Sequence, residues 1–350
     1  MSNVLVEERK IECLNQWQNL KDYFIKIVKD PWYKVIIELE NQITCSTVEF
    51  YKRKDMKTLH LPVTTGTISS PMGLGSDSSP VKVNLFGVET YLADSMQFLL
   101  EYGCRFTENG CYYLMPSFRG EKADNRHLCQ FYHSESEIPG TLDDVMSLVE
   151  EYIIFLSKEM LENCSEQIYK ATNDLNHIRK IANLSGGFPR ITYREAQKLL
   201  NEKYPDEELF SDIEGTNLKM INSRGEKRLI ELFDGIVWLT HFEHLAVPFY
   251  QAFDSNNKSR ALNADLLFGI GEVVGCGERH ENMQQVQEAL DMHEVSREEY
   301  GWYCDLKEIY PIKTAGFGMG VERFILWLLK HNDIRNCQII PRYNGVNILP

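Results

Sequence analysis

The stretch Gly316-Phe-Gly-Met-Gly-Val-Glu-Arg323 runs without a break into the apolar run Phe324-Ile-Leu-Trp-Leu-Leu329. Glycines at alternate positions remove side chains from one face of an extended segment, so a ligand or another strand can approach the backbone closely. Arg323 then lies in the first turn of a very apolar helix, where a charge is costly unless it is paired or faces a ligand. The stretch predicts a strand–turn–helix unit whose arginine either binds a ligand or forms a solvated pair with Glu322.

Strand patterns elsewhere occur mainly in hairpins. Residues 111–119 and 128–137 are typical of two paired strands with a polar loop between them. Further strands are predicted at 57–61, 81–86, 89–92, 235–240, 247–253, 261–268 and 271–276. Helices are predicted at 33–53, 95–102, 281–293, 296–303 and 320–331, with two more capped by Thr141 and Thr192. This order favours an α+β fold, an antiparallel sheet flanked by helices, over a Rossmann-type fold.

The first hairpin carries the stretch Ser117-Phe-Arg-Gly-Glu121, in which strand alternation sends Arg119 and Glu121 to the same face. An arginine there can bind a phosphate or carboxylate bidentately, and the glutamate can accept a hydrogen bond from an exocyclic amine. His127 in the loop can contact a distal phosphate, and Phe131 on the returning strand can stack on a purine. The alternative is a surface hairpin with an ordinary salt bridge and a core phenylalanine.

A pair of carboxylates, Asp265 and Glu272, brackets glycines and an apolar run. Such a pair suits Mg²⁺ held between protein and triphosphate, although an isolated acidic pair at strand ends is the alternative. No P-loop sequence, G-x-x-x-x-G-K-[ST], occurs in the chain. The residue pattern therefore indicates an enzyme that binds a nucleoside triphosphate without a P-loop. The candidate groups are two arginines, a histidine, an aromatic ring and two carboxylates.

The composition is that of an ordinary globular protein. The net charge of −14, from 37 basic and 51 acidic residues, argues against non-specific binding of polyanions. Nine cysteines without a C-x-x-C pair argue against a zinc site and favour reduced thiols in the cytoplasm. The apolar runs are too short for a membrane span, and the first residues lack the pattern of a signal peptide.

The elements occur in the order hairpin arginine, carboxylate pair, glycine–arginine helix. Together they resemble the catalytic core of class II aminoacyl-tRNA synthetases, in the branch of the asparaginyl and aspartyl enzymes. The hairpin resembles the second motif of that class and the segment 316–323 its third, while Pro62 falls where the first motif has a dimer-interface proline. The segment 265–279 resembles the family's metal-carboxylate segment. This resemblance covers residues 33–350 as a single catalytic domain, with residues 1–32 as a short helical extension.

The resemblance implies an ATP site formed by Arg119, Glu121, Arg126, His127, Phe131, Gly318, Gly320 and Arg323. Arg119, His127 and Arg323 would be the catalytic groups on the phosphates, and Asp265 and Glu272 would bind Mg²⁺. The implied reaction is in-line attack of an amino-acid carboxylate on ATP, giving an aminoacyl-adenylate and pyrophosphate. Such catalysis rests on positioning and charge neutralisation.

The amino-acid half of the site departs from the family pattern. The resemblance implies a side-chain pocket lined by Ser95, Gln97, Leu100 and Glu101, with Asp77 near the α-ammonium. Aspartate-activating relatives have a lysine where this chain has Leu100, and a leucine cannot neutralise a substrate carboxylate. Glu101 instead agrees with the asparaginyl pattern, because an acid can accept from a side-chain amide.

Three functions follow as expectations. About 30 residues precede the core, too few for the oligonucleotide-binding barrel of tRNA-reading relatives, which argues against a tRNA partner. We therefore expect a homodimeric, ATP-dependent ligase that activates aspartate, asparagine or a related amino acid and transfers it to a small amine such as ammonia. One alternative is an asparaginyl-tRNA synthetase-type enzyme that charges tRNA without an anticodon domain, and the other is a non-catalytic binding or regulatory protein.

Overall fold

The computed structural model describes residues 10–70, 79–213 and 216–348. The strands are β1 Lys57–Thr58, β2 Thr64–Thr65, β3 Val81–Leu85, β4 Val88–Leu92, β5 Cys111–Phe118, β6 Gln130–Pro139, β7 Arg190–Thr192, β8 Phe210–Asp212, β9 Lys219–Ile221, β10 Ile236–Thr240, β11 Phe253–Asp254, β12 Asn257–Ala261, β13 Asn263–Phe268, β14 Gly271–Glu278 and β15 Thr314–Gly320. The α-helices are α1 Tyr23–Lys29, α2 Pro31–Arg53, α3 Gln97–Gly103, α4 Leu142–Asn163, α5 Ser165–Thr172, α6 Asn176–Ala182, α7 Tyr193–Lys203, α8 Ser223–Leu232, α9 Met283–Met292, α10 Gly301–Ile309 and α11 Val321–Leu328.

The main sheet has eight strands in the order β1-β5-β6-β15-β14-β13-β10-β7. All pairs from β5 to β10 are antiparallel, and only the edge strands β1 and β7 pair in parallel. Smaller sheets are formed by β2-β4-β3, β8-β9 and β11-β12. This architecture confirms the predicted α+β fold with an antiparallel sheet flanked by helices.

One face of the main sheet is covered by helices. Alternate residues of β15, namely Ala315, Phe317 and Met319, join the apolar faces of α2, α4, α6 and α11 in one core. Helix α4 begins with the predicted cap, since Thr141 and Asp144 form a reciprocal capping box. Burial of this face leaves the glycines of β15 on the opposite face of the sheet.

That opposite face is bounded at both ends but open in the middle. Towards β7 it packs against α7 and α8, and towards β5 it packs against α3, which in turn packs against α9 and α10. Helix α7 has the predicted cap at Thr192, which forms a capping box with Glu195. The central strands β6 and β14 therefore present side chains to a cleft, with the glycines of β15 between them.

Three local predictions were wrong. The segment 247–253, predicted as a strand, is irregular until it reaches the two-residue β11 at Phe253, because Phe249 and Tyr250 pack into the aromatic core near α9 and α10. The helix predicted at 296–303 begins only at Gly301. The strand predicted at 57–61 is limited to β1.

The N-terminal extension packs on the main core. Tyr23 and Ile27 of α1 are buried in the same core as α2 and α11. The boundary at residue 32 stays a prediction. In the described ranges of the chain, no helix is both long and apolar enough to cross a membrane.

Candidate active site

Two adjoining cavities lie on the open face of the sheet. They share four lining residues, Arg119, His133, Glu272 and Gly318. The outer cavity is lined by all eight residues predicted for the nucleotide, namely Arg119, Glu121, Arg126, His127, Phe131, Gly318, Gly320 and Arg323. Residues up to 204 positions apart in the sequence therefore line the same cavity. Their individual roles stay predictions.

Arg119 directly follows β5, which ends one residue earlier than the predicted strand 111–119. Its guanidinium carbon lies 5.6 Å from the centroid of the Phe131 ring on β6. Its Nε is buried and has no hydrogen-bond partner in the part of the chain that the structure describes. An unpaired buried donor of a charged group is costly, so this arginine is suited to an anionic ligand.

Arg323 lies in the first turn of α11, directly after the glycines of β15. Its Nη1 donates to the backbone oxygen of Glu272 at 2.8 Å and to the Oε2 atom of that residue at 3.2 Å. Burial disfavours the charged form of Glu272, but the charges of Arg323 and Arg119 outweigh burial and lower its pKa. The glutamate is therefore ionised between two arginines.

A β-bulge brings the two predicted metal carboxylates to one face. Leu266 pairs with Val274 but Leu267 pairs with Glu272, so one residue of β14 is left over. As a result Glu272 shares a face with Asp265. A Cβ built on Gly275 would lie 3.0 Å from Glu272 Oε1 and 3.6 Å from Asp265 Oδ1.

This carboxylate pair fits a hard divalent cation. Burial and the negative charges of Glu272 and Glu226 raise the pKa of Asp265 well above its ordinary value, and a bound cation would relieve that repulsion. Across the described ranges no group of three or more His, Cys, Asp or Glu is arranged to hold a metal ion. Mg²⁺ is commonly bound by one or two carboxylates together with substrate phosphates and water, which matches two protein ligands.

The two polar residues of the hairpin loop have protein partners. Arg126 donates from Nη2 to Glu226 of α8 at 2.8 Å, and His127 Nδ1 lies 2.9 Å from Asp124 Oδ1. The Arg126 pair links the hairpin to the segment 193–232, for which the sequence shows no functional pattern. A phosphate at either residue would compete with these carboxylates.

The inner cavity contains Ser95 and Gln97 of the predicted amino-acid site. Ser95 Oγ donates to Glu135 at 2.7 Å, and Gln97 Nε2 lies 3.4 Å from Glu137 Oε2. Behind Gln97, Glu137 is bound bidentately by Arg279 at 3.1 Å for both contacts. Both side chains are almost fully buried. A fixed hydrogen-bond acceptor, Glu137, and a fixed donor, Arg279, therefore lie beneath the cavity.

Gln251 completes the underside of this cavity. Its Oε1 accepts from Arg279 Nη1 at 3.0 Å. The side chain lies over Gly277, where an added Cβ would come within 1.9 Å of Oε1. The absence of a side chain at Gly277 therefore leaves the space that Gln251 occupies.

The structure does not bring Leu100 and Glu101 to the cavity. Leu100 is fully buried in an apolar cluster with Met96, Cys111 and Tyr113. Glu101 is buried in an ion pair with Lys307 of α10 at 2.6 Å. Both residues follow Gln97 on α3 and lie on the side of that helix that packs inward. Asp77 lies outside the described residues.

Sequence reasoning missed His133, Glu135, Glu137, Gln251 and Arg279. The first three follow Phe131 at alternate positions of β6, so the alternation that placed Phe131 in the site was a usable signal for them. Arg279 ends the segment that was recognised for its carboxylates. For Gln251 the sequence carried no signal, since its contact with Arg279 is set by the tertiary fold.

A buried histidine cluster lies beside the inner cavity and predicts acid sensitivity. His244 Nδ1 lies 2.8 Å from His293 Nε2, and Nε2 of His244 lies 2.8 Å from the backbone oxygen of Gln251. Burial, followed by the charge of His293, lowers the pKa of His244 from 6.5 to about 4. As the pH falls, His244 is therefore protonated in the unfolded chain before it is protonated in the folded protein. Folding stability is lost as the pH falls from about 6.5 to about 4.

We expect His244 to contribute about 2 kcal/mol to the loss between pH 7.5 and pH 5.0, because pH 5.0 lies below its unfolded pKa but above its folded pKa of about 4. Urea unfolding at pH 7.5 and pH 5.0 measures the difference in the free energy of unfolding. His244→Gln should reduce the difference, whereas His60→Gln, at an exposed position, should leave it unchanged. An unaltered pH dependence in His244→Gln would contradict the assignment.

Comparison with known proteins identifies the family of this chain. Residues 15–344 match the family described as tRNA synthetases class II (D, K and N). The asparagine–tRNA ligase of Koribacter versatilis (strain Ellin345) is 30% identical over 313 residues, which are 88% of this chain and 68% of that protein.

Solved structures agree with this match. The asparaginyl-tRNA synthetase from Pyrococcus horikoshii, complexed with asparaginyl-adenylate, is 26% identical with a TM-score of 0.83, over 94% of this chain and 73% of that one. The Entamoeba histolytica asparaginyl-tRNA synthetase in complex with asparaginyl-adenylate, at 22% identity and a TM-score of 0.79, covers 94% of this chain and 71% of its own, and supports the fold alone. The chain therefore belongs to the class II aminoacyl-tRNA synthetases, ligases that form an aminoacyl-adenylate.

Proposed function

We propose that the protein activates asparagine with ATP and transfers the asparaginyl group to tRNA. The observation that carries the proposal is that the two cavities meet at Arg119. The outer cavity is lined by the arginines predicted to bind ATP, and the buried pair Glu137–Arg279 lies beneath the inner cavity. Further support comes from the relatives, since the Koribacter protein is an asparagine–tRNA ligase and the Pyrococcus structure contains asparaginyl-adenylate.

The activation step follows from the placement of charges. Class II synthetases use ATP and Mg²⁺. The adenine would lie on Phe131, with its amine near Glu121, and Arg119 would hold the α-phosphate against the incoming carboxylate. Arg323 and His127 would bind the distal phosphate. Asp265 and Glu272 would hold Mg²⁺, which when bound neutralises phosphate charge.

The inner cavity favours a carboxamide over a carboxylate. Glu137 and Arg279 neutralise each other through their bidentate contact below the cavity, so this pair offers no net positive charge to a substrate carboxylate. The charge of an aspartate side chain would stay uncompensated by this pair, whereas an amide can donate to an acceptor and accept from a donor. This chemistry agrees with the asparaginyl alternative and not with activation of aspartate.

Glu137→Gln is expected to lower kcat/KM for asparagine about 10-fold or more, by the size of a charge-assisted hydrogen bond. The preference for asparagine over aspartate should fall with it, because Arg279 then carries an uncompensated positive charge that favours a carboxylate. ATP–pyrophosphate exchange at varied amino-acid concentration measures both quantities. Glu150→Gln is the matched control, since Glu150 is also buried but accepts from Trp238 Nε1 at 2.9 Å on the helix-covered face. Unchanged selectivity in Glu137→Gln would contradict the proposed pocket.

The acceptor is tested separately. The relatives reported above are named as tRNA ligases, which favours tRNA over the ammonia-dependent transfer expected from the sequence. Preformed asparaginyl-adenylate on the enzyme should transfer its acyl group to tRNA in a single turnover, with a rate that falls as salt is raised. Transfer to ammonium at the same rate, with no response to tRNA, would instead support the ammonia-dependent ligase.

We also propose a homodimer, as the resemblance of Pro62 to the first motif implies. Pro62 and the α2 side chains Ile37 and Val48 are exposed in the single chain, and a second copy would cover such apolar groups. Analytical ultracentrifugation tests this assembly.

A further inference from the structure

His133 lies where the two cavities meet. It is on β6 opposite Gly320 of β15, so no side chain on that neighbour covers it. The ring lines the outer cavity with Phe131 and Arg323 and the inner cavity with Ser95 and Gln97. In the proposed function this junction is the place where the acyl carbon is bonded to the α-phosphate oxygen.

The imidazole is held at one nitrogen only. Nδ1 lies 2.9 Å from Ser117 Oγ and 3.0 Å from Glu135 Oε1. For Nε2 the structure gives no hydrogen-bond partner in residues 10–70, 79–213 and 216–348. The ring edge is fixed by Phe131, whose ring is perpendicular to it with centroids 4.7 Å apart.

Glu135 is built to remain an anion. It is buried, and its other oxygen accepts from Ser95 Oγ at 2.7 Å and from the hydroxyl of Tyr113. Burial opposes its charge, but the neighbouring His133 and the hydroxyl donors lower its pKa. An ionised carboxylate on Nδ1 fixes the ring and stabilises the imidazolium that forms when Nε2 takes up a proton.

We propose that His133 is a catalytic residue of the transfer step, in which Nε2 accepts the proton of the acceptor hydroxyl. This inference rests on the proposed function. The acceptor O–H bond breaks and its proton passes to Nε2, while the oxygen forms a bond to the acyl carbon. The bond between that carbon and the phosphate oxygen breaks, and AMP leaves with the electron pair. Glu135 remains ionised throughout.

Other charged groups surround this dyad from each neighbouring element. Arg119 and Tyr113 come from the β5 side, Glu137 from β6 itself, Glu272 from β14 and Glu322 from α11. Glu322 is buried and its charge interacts with His133, although its own contacts are Tyr132 N and Gln338. Because several charged groups act on this dyad, the test compares the two half-reactions of one variant.

The test uses His133→Asn, which can keep a contact at the Nδ1 position but has no group at Nε2. ATP–pyrophosphate exchange with asparagine reports adenylate formation, and single-turnover transfer from the preformed adenylate to tRNA reports the second step. We expect transfer to fall about 10²-fold further than exchange, by the usual size of a general-base contribution. The rise of the wild-type transfer rate with pH through the imidazole range should flatten in the variant.

Glu135→Gln provides a second variant, because it keeps the hydrogen bond to Nδ1 but removes the charge that stabilises the imidazolium. It should also lower transfer more than exchange. Equal losses in both half-reactions would overturn the inference and leave His133 as a positioning residue. Wild-type rates of both half-reactions in His133→Asn would overturn it as well. Absence of exchange in the wild-type protein would instead overturn the proposed function, and this inference with it.

Discussion

Replacing Arg119 with lysine is expected to lower ATP–pyrophosphate exchange by about 10³-fold, at the upper end of the loss for one charge-stabilising donor. Arg119 lines both cavities, and its Nε is buried without a partner in the described chain. A lysine retains the charge but cannot make the planar bidentate contact. The loss should therefore appear in kcat and not only in the KM for ATP, since the contact strengthens as charge develops on the α-phosphate.

Arg228→Lys is the matched control for this substitution. Arg228 forms exposed ion pairs with Glu207 and Glu231, and such pairs contribute little. The two variants should have the same midpoint of thermal unfolding within a few degrees. Exchange by Arg119→Lys at more than a tenth of the wild-type rate would contradict the role of Arg119.

Arg323→Ala is expected to lower exchange by about 10²-fold or more through the loss of a cation on the distal phosphate. The structure adds a second consequence, because Arg323 is also the ion-pair partner of Glu272 at 3.2 Å. Without it, the carboxylate pair Asp265–Glu272 carries uncompensated charge. The variant should therefore require less free Mg²⁺ for half-maximal exchange while its KM for ATP rises.

Arg335→Ala is a control of similar burial. The Arg335 side chain is 19% exposed and pairs with Asp333, against 18% exposure for Arg323. Arg335 packs over Trp17 and does not line either cavity. Similar losses of exchange in both variants would mean that Arg323 acts on stability, and a near-normal rate in Arg323→Ala would remove its assignment to ATP.

The nucleotide side of the site was predictable because its determinants are local. Strand alternation places Arg119 and Phe131 on one face of a hairpin, and the glycines of β15 place Arg323 beside them. These relations need only the periods of strands and helices. The carboxylates Asp265 and Glu272 were found for the same reason, although the bulge that aligns them is not visible in the sequence.

The amino-acid side depended on contacts between distant segments. Glu101 and Leu100 were assigned from their spacing to Gln97, but Lys307 from α10 pairs with the first and an apolar cluster covers the second. Likewise Gln251 caps Arg279 across the fold. A sequence pattern gives the positions along α3 but not which side of that helix faces the cavity, so this half required the tertiary structure.

The central claim is that the enzyme activates asparagine, and ATP–pyrophosphate exchange on the purified protein tests it most directly. All twenty amino acids are compared, each with and without tRNA. We expect asparagine to support exchange without tRNA, with aspartate at least about 10-fold weaker because Glu137 neutralises Arg279 beneath the inner cavity. Exchange with another amino acid in preference to asparagine, or with none of the twenty, would contradict the claim.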